Sequence, residues 1–252
     1  MKNFKVFLVA FLAALALAFT GCGETAANAP SGNTPSGKDH SGKTPSGNAQ
    51  EEDDLYGDVS LLEYELTSGG YAVVGLGKYD EGILNVPSEY NGKPVVKIGA
   101  EAFSGAIQLG VITIPASVKT IEEKAFASCP NLSEVALGGG VEIIKEKAFE
   151  FCHNIGTLTG LEAVVTVEKN AFNGCKKIKE IEFSDAIRTI SDNAFSDCEK
   201  LEKITFGINL ETVGRRAITF ARSQGLTTAT SRRKKILSRR SVADRFGAAI
   251  PY

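Results

Sequence analysis

Tryptophan is absent from this chain of 252 residues, and histidine occurs only twice, at His40 and His153. That removes many of the usual catalytic candidates. No nucleophile, base and orienting group stand in a recognisable arrangement. His153 follows Cys152, but a dyad needs spatial approach within a cleft, not adjacency in sequence; if Cys152 points inward, its neighbour points out. The chain is therefore read as a non-enzyme that needs no cofactor. A long apolar run is also missing, since residues 6–19 are too few to span a membrane comfortably. Arginine is nearly missing from the body, where Arg188 is the only one before Arg215.

What is present is a repeat. Ala102-Phe103, Ala125-Phe126, Ala148-Phe149, Ala171-Phe172 and Ala194-Phe195 follow one another at intervals of 23 residues. The same step links Ile98, Ile121, Ile144, Val167, Ile190 and Val213, and it links Val118, Val141, Val164, Ile187 and Leu210. Leu109, Leu132, Ile155, Ile178 and Leu201 form a further column, and Ile112, Val135, Leu158, Ile181 and Ile204 another. Cys129, Cys152, Cys175 and Cys198 also fall in register. Apolar columns at a period of 20–29 residues predict a leucine-rich-repeat solenoid. One such coil cannot bury its own apolar face, so coils stack and each column becomes an internal stripe. In the coil of residues 132–154, Leu132, Val135 and Leu137 alternate like a strand with Ala136 outside. Val141 and Ile144 point inward on the return, and Ala148-Phe149 opens a short helical or turn segment. One coil departs: Gly160 stands where its neighbours carry Leu137 and Phe183, with Leu161 one residue late. This predicts a local shift or bulge in the strand that leaves the register intact, because Val164 and Val167 return on time.

The flanks read differently. Lys2 and Lys5, the apolar run and then Thr20, Gly21 and Cys22 form a secretion signal over residues 1–21. Small residues leading into a cysteine resemble a bacterial lipobox, although Phe19 replaces the usual leucine. That resemblance implies cleavage before Cys22, acylation of Cys22 and firm membrane attachment. Residues 22–54 are rich in Gly, Ser, Pro, Thr and Asn, and the motif Thr34-Pro35-Ser36-Gly37 returns as Thr44-Pro45-Ser46-Gly47. Such a composition reads as a flexible tether. Residues 55–97 read as strands around the Ser68-Gly69-Gly70 turn and predict a β-rich cap over the first coil. The solenoid is expected over residues 98–214.

Charge divides at the same boundary. Residues 1–214 hold 18 Lys+Arg against 29 Asp+Glu, and residues 215–252 hold 10 against one, Asp244. This basic tail reads in three ways: an arm for nucleic acid or anionic lipid, a divergent cap, or out-of-frame translation of a decayed repeat. If it does not cap the solenoid, the last coil exposes core, and fraying or end-to-end self-association is expected there.

The run of residues 109–126, L-G-V-I-T-I-P-A-S-V-K-T-I-E-E-K-A-F, followed by Cys129, resembles the treponemal or BspA-like class of leucine-rich repeats. Val86-Pro87 and Asn91-Gly92-Lys93-Pro94-Val95 resemble the opening segment of that class. The resemblance implies an α/β solenoid with a parallel concave sheet and short helical turns. It implies a bacterial surface or periplasmic location and, for some members, adhesion to host matrix proteins or to other cells. It also implies that the cysteine column points inward as a small apolar filler. Equivalent Cα atoms of stacked coils lie about 4.8 Å apart, so disulfides stay open as an alternative, as does metal; a straight ladder suits neither bond geometry nor tetrahedral ligation well.

The function expected is that of a lipid-anchored protein-binding module, a surface adhesin, with a periplasmic scaffold for a bacterial partner as the alternative. The candidate binding residues are the outward positions of the strands: Glu134, Thr157, Lys179, Glu180, Glu182, Glu202 and Lys203. No metal site is expected.

Overall fold

The computed structural model describes residues 58–218 and the backbone of one further strand, 228–231. Cys22, the tether and most of the basic tail lie outside the described residues. A single 3-10 turn, Val59–Leu61, is the only helical segment among the described residues. The rest is strand and turn.

The chain enters through a hairpin, β1 (Glu63–Thr67) and β2 (Gly70–Gly75), paired antiparallel. Then come β3 (Ile83–Asn85), the two-residue β4 (Glu89–Tyr90) and β5 (Lys93–Ile98). Each coil that follows supplies one strand to each of two faces. The first face takes β6 (Val111–Ile114), β8 (Glu134–Leu137), β10 (Thr157–Thr159), β12 (Glu180–Glu182), β14 (Lys203–Phe206) and β16 (Thr228–Ser231). The second takes the shorter β7 (Thr120–Ile121), β9 (Ile143–Ile144), β11 (Thr166–Val167), β13 (Thr189–Ile190) and β15 (Thr212–Val213).

The second face is one sheet in the order β1-β2-β5-β7-β9-β11-β13-β15. Its members pair in parallel from β2 onward, and Ile98, Ile121, Ile144, Val167, Ile190 and Val213 meet in register. The first face is cut in two. β3, β6, β8 and β10 form one parallel sheet, and β12, β14 and β16 form another. The cap is thus continuous with the coils: β3 pairs with β6 and β5 with β7.

A third side is made of turns. Phe103, Phe126, Phe149 and Phe195 each donate their N–H across 2.7 Å to the alanine carbonyl one coil on, and Phe172 does so across 2.8 Å. Two residues per coil hold a left-handed backbone. One column is Glu101, Lys124, Lys147, Asn170, Asn193 and Arg216, with φ between 48° and 58°. The other is Gly105, Ser128, Phe151, Gly174 and Asp197. These reversals let the chain pass around the Ala-Phe pair by turns alone, so of the two expected closures the turn is the one formed.

The core is the set of columns. The Phe103, Phe126, Phe149, Phe172 and Phe195 rings stack at 4.9–5.1 Å between centroids, the last three steps within 6° of parallel. Such pairs add about 0.5–1.5 kcal/mol each beyond the area they bury. Ile218 continues the stack in place of a sixth ring; it is fully buried with Ala217, and it bridges to Phe195. Both lie past Gly214, and β16 pairs with β14 at an offset of 25 residues, Lys203 against Thr228, where earlier coils step by 23.

The cysteine column completes the interior. Cys129, Cys152, Cys175 and Cys198 are fully buried free thiols. Each donates its S–H to a phenylalanine carbonyl of the preceding coil, with Sγ to oxygen distances of 3.0, 2.8, 3.2 and 3.4 Å. Each thiol thus satisfies a carbonyl inside the stack while filling the space of a small apolar group. Burial raises the Cys175 thiol well above the ordinary range and pushes Cys198 up to about 12.

Candidate functional site

The first face carries every candidate residue within the described range. Glu134 is half-buried on β8 and sits between Val111 and Thr157 in register. Thr157 is exposed on β10. Lys179, Glu180, Glu182, Glu202 and Lys203 are all exposed. Glu180 faces Lys203 across the β12–β14 pair, and their side chains form an ion pair at 3.3 Å. The Lys179 carbonyl accepts the N–H groups of Glu202 and Lys203 at 2.8 and 3.1 Å. The structure therefore brings five of the seven together on the three-stranded sheet and leaves Glu134 and Thr157 on the four-stranded one.

A cleft of about 580 Å³ separates the two groups. Its cause is Gly160. This residue has φ +78°, and a Cβ there would stand 1.8 Å from the Leu137 carbonyl oxygen. The chain leaves the strand path at that point, β10 ends at Thr159, and Leu161 turns into the core, where it is buried. Val164 and Val167 are fully buried, so the register recovers as expected, but the sheet does not. The expected local shift or bulge goes further than a displaced residue, since β10 and β12 no longer pair. Leu158 is only partly buried, whereas Ile112, Val135 and Ile204 of the same column are fully buried. Leu158 and Phe183 line the cleft, and Glu162, Glu180, Glu182 and Asp185 stand around it. Glu162 and Asp185 were not among the sequence candidates; the displaced Gly160 was the only signal pointing to them.

Elsewhere several polar groups bind the neighbouring coils. Cys152 is held by the Phe126 carbonyl, and exposed His153 donates from Nδ1 to the Gly174 carbonyl at 2.8 Å, so the two are engaged with different coils. Among the described residues no group of three or more His, Cys, Asp or Glu is arranged to hold a metal ion. On the second face Glu122 bridges Lys145 at 2.7 Å and Lys97 at 3.0 Å. Burial works to raise the Glu122 carboxyl, but the two lysines together outweigh it and hold it below its ordinary value. In the cap, Tyr64 stacks on Tyr90 at 3.8 Å, and burial pushes the Tyr64 phenol up to about 12.

Stacked 23-residue coils, parallel sheets on two faces and turns on the third define a leucine-rich-repeat solenoid. The BspA type leucine rich repeat region matches residues 96–227 in six copies, just over half of the chain. The chain belongs to that family. Solved structures agree in fold. The T. pallidum leucine-rich-repeat protein is 20% identical with a TM-score of 0.52, over 63% of this chain and 86% of that one. A leucine-rich cell surface protein from Faecalibacterium prausnitzii is 20% identical with a TM-score of 0.58, over 71% of this chain and 55% of that one. Among curated proteins none matches significantly.

Proposed function

We propose that this protein is an exported, lipid-anchored binding protein whose first sheet face engages a protein partner, as an adhesin of the cell surface. The observation that carries the reading is the exposed charged patch of Lys179, Glu180, Glu182, Glu202 and Lys203 on an open parallel sheet. Solenoids of this kind use extended sheet faces for partners. The small residues before Cys22 and the polar residues after it support export and anchoring, and the F. prausnitzii protein that shares the fold is a cell surface protein. A tether of 32 residues spans on the order of 30 Å as a coil, which holds the solenoid clear of a membrane surface.

Protease treatment of intact cells, compared with cells whose outer membrane has been permeabilised, tests the location. Cleavage in the tether on intact cells is expected. Cleavage only after permeabilisation places the solenoid in the periplasm and replaces the adhesin with a scaffold for a bacterial partner. A variant carrying K179E, E202K and K203E, with an unchanged circular dichroism spectrum, is expected to lose at least tenfold in affinity for matrix proteins that bind the parent. Unchanged affinity overturns the assignment of the face.

A further inference from the structure

The chain holds two Asn-Gly dipeptides, Asn91-Gly92 and Asn173-Gly174, each preceded by an aromatic residue, Tyr90 or Phe172. Asparagine is a thermolabile residue, and glycine after it makes it more so. The glycine nitrogen can attack the asparagine side-chain carbonyl, because glycine carries no Cβ to obstruct the approach. The N–Cγ bond forms and the Cγ–Nδ2 bond breaks. The glycine proton passes to the departing amide, which leaves as ammonia, and a cyclic imide remains. Water then opens the imide at either carbonyl, giving aspartate or isoaspartate. No oxidant is consumed. The attack does need a glycine N–H without a partner and a peptide plane free to turn.

The two sites differ in that respect. Asn173-Gly174 lies on the turn side, within the stack. The Gly174 N–H donates to the Ser196 carbonyl at 2.8 Å, and the Asn173 carbonyl accepts from the Phe151 N–H at 2.8 Å. The Gly174 carbonyl is bound to His153 Nδ1 at 2.8 Å, and Asn173 Nδ2 donates to Glu150 at 3.3 Å. Phe151 covers the glycine so closely that a Cβ there would stand 2.8 Å from its ring. The coils on both sides thus clamp this peptide. Asn91-Gly92 is instead the tip of the hairpin that joins β4 to β5, with Tyr90 paired to Lys93. The two residues have φ 49° and 71°, the left-handed pair that an Asn-Gly hairpin turn adopts. Both are exposed, and a Cβ on Gly92 would meet nothing within 4 Å. Among the described residues neither the Gly92 N–H nor the Asn91 side chain has a hydrogen-bond partner. β4 is two residues long and pairs with β5 alone. So short an edge opens locally at little cost, and the opening lets Asn91 leave the turn and bring its side chain to the Gly92 nitrogen.

We propose that Asn91 is a site of spontaneous deamidation through a cyclic imide with Gly92, while the neighbouring coils protect Asn173. The change adds a carboxylate to the cap, and isoaspartate also adds a methylene to the backbone of a two-residue turn. This assignment stands apart from the partner-binding reading, since it needs no second protein.

A time course of the folded full chain in mildly alkaline buffer, digested and read by mass spectrometry, tests it. Asn91 is expected to convert at least about tenfold faster than Asn173, because only the second must first break its bonds to neighbouring coils. The product should be a mixture of aspartate and isoaspartate, resolved by electron-transfer fragmentation. In denaturant the two rates should agree within about twofold, since the clamp is gone and both asparagines follow an aromatic residue. Equal rates in the folded protein would overturn the proposal. So would an Asn91 that stays intact while the denatured chain converts, or an aspartate product without isoaspartate.

Discussion

Lys147 holds a left-handed backbone at φ 58°, in a column where Asn170 and Asn193 occupy the same turn one and two coils later. That conformation costs an ordinary side chain about 1–2 kcal/mol, and asparagine tolerates it better. Lys147 is partly exposed and its ion pair with Glu146, at 3.7 Å, is a weak surface contact. Lys147→Asn is therefore expected to stabilise the protein by about 0.5–1 kcal/mol, seen as a higher urea midpoint at unchanged m-value. Glu122 argues the electrostatic case. Its folded carboxyl lies below the ordinary value of 4.5, so its contribution is fully present above that pH and is lost as pH falls through the folded value. Glu122→Gln should cost about 0.5–1 kcal/mol at pH 7, the scale of partly screened pairs. The deficit should shrink as pH is lowered below about 4.5 and nearly vanish once the parent's carboxyl is protonated. Denaturation curves at pH 7 and at progressively lower pH decide this, and a deficit independent of pH would sink it.

At the scale of elements, the thiol column links sequence to chemistry most directly. All four cysteines are fully buried, and the carbonyls they bind are main-chain groups of the stack. Iodoacetamide should leave Cys129, Cys152, Cys175 and Cys198 unmodified in the folded protein and label all four in denaturant, counted by intact mass. Labelling of a single folded-state thiol would place that coil's turn in solvent. The columns were legible because a constant period puts like residues in like environments, so Phe103 and Phe195 announce the same position. The left-handed turns were not legible. Glu101, Lys124 and Arg216 share a conformation that none of these residues favours; Glu101 and Lys124 hold it while donating their N–H groups to the Glu123 and Glu146 carbonyls of the next coil. The candidate face was legible as outward strand positions, but its division was not. Gly160 signalled a disturbance, while the loss of pairing on one wall follows from a close approach to the Leu137 carbonyl that only coordinates reveal. β16 was hidden because Ile218 and the residues after it lack the phenylalanine and cysteine that mark earlier coils.

Over the whole molecule, each coil touches only its neighbours, so stability passes along the stack one junction at a time. The junction between β10 and β12 lacks one of the three sets of contacts that join the others. Damage beyond it should stay there. Phe195→Ala removes a ring from the stack and should cost about 3–5 kcal/mol locally. Hydrogen exchange is expected to show protection falling steeply over residues 180–213 and much less over residues 98–158. An equal fall on both sides would mean that the junction couples as strongly as the rest.

The regular pairing at 23 residues also bears on how such a chain changes its length. Because equivalent atoms of successive coils meet the same neighbours, a coil copied or lost as a whole leaves every surviving contact of the same kind in place. Duplication of residues 111–133 would add one strand to each of the two faces and leave the other junctions as they are. The coil that carries Gly160 differs, since its gain or loss is also the gain or loss of a cleft. Unequal exchange within the gene could therefore add or delete a crevice in one event, without a single point substitution.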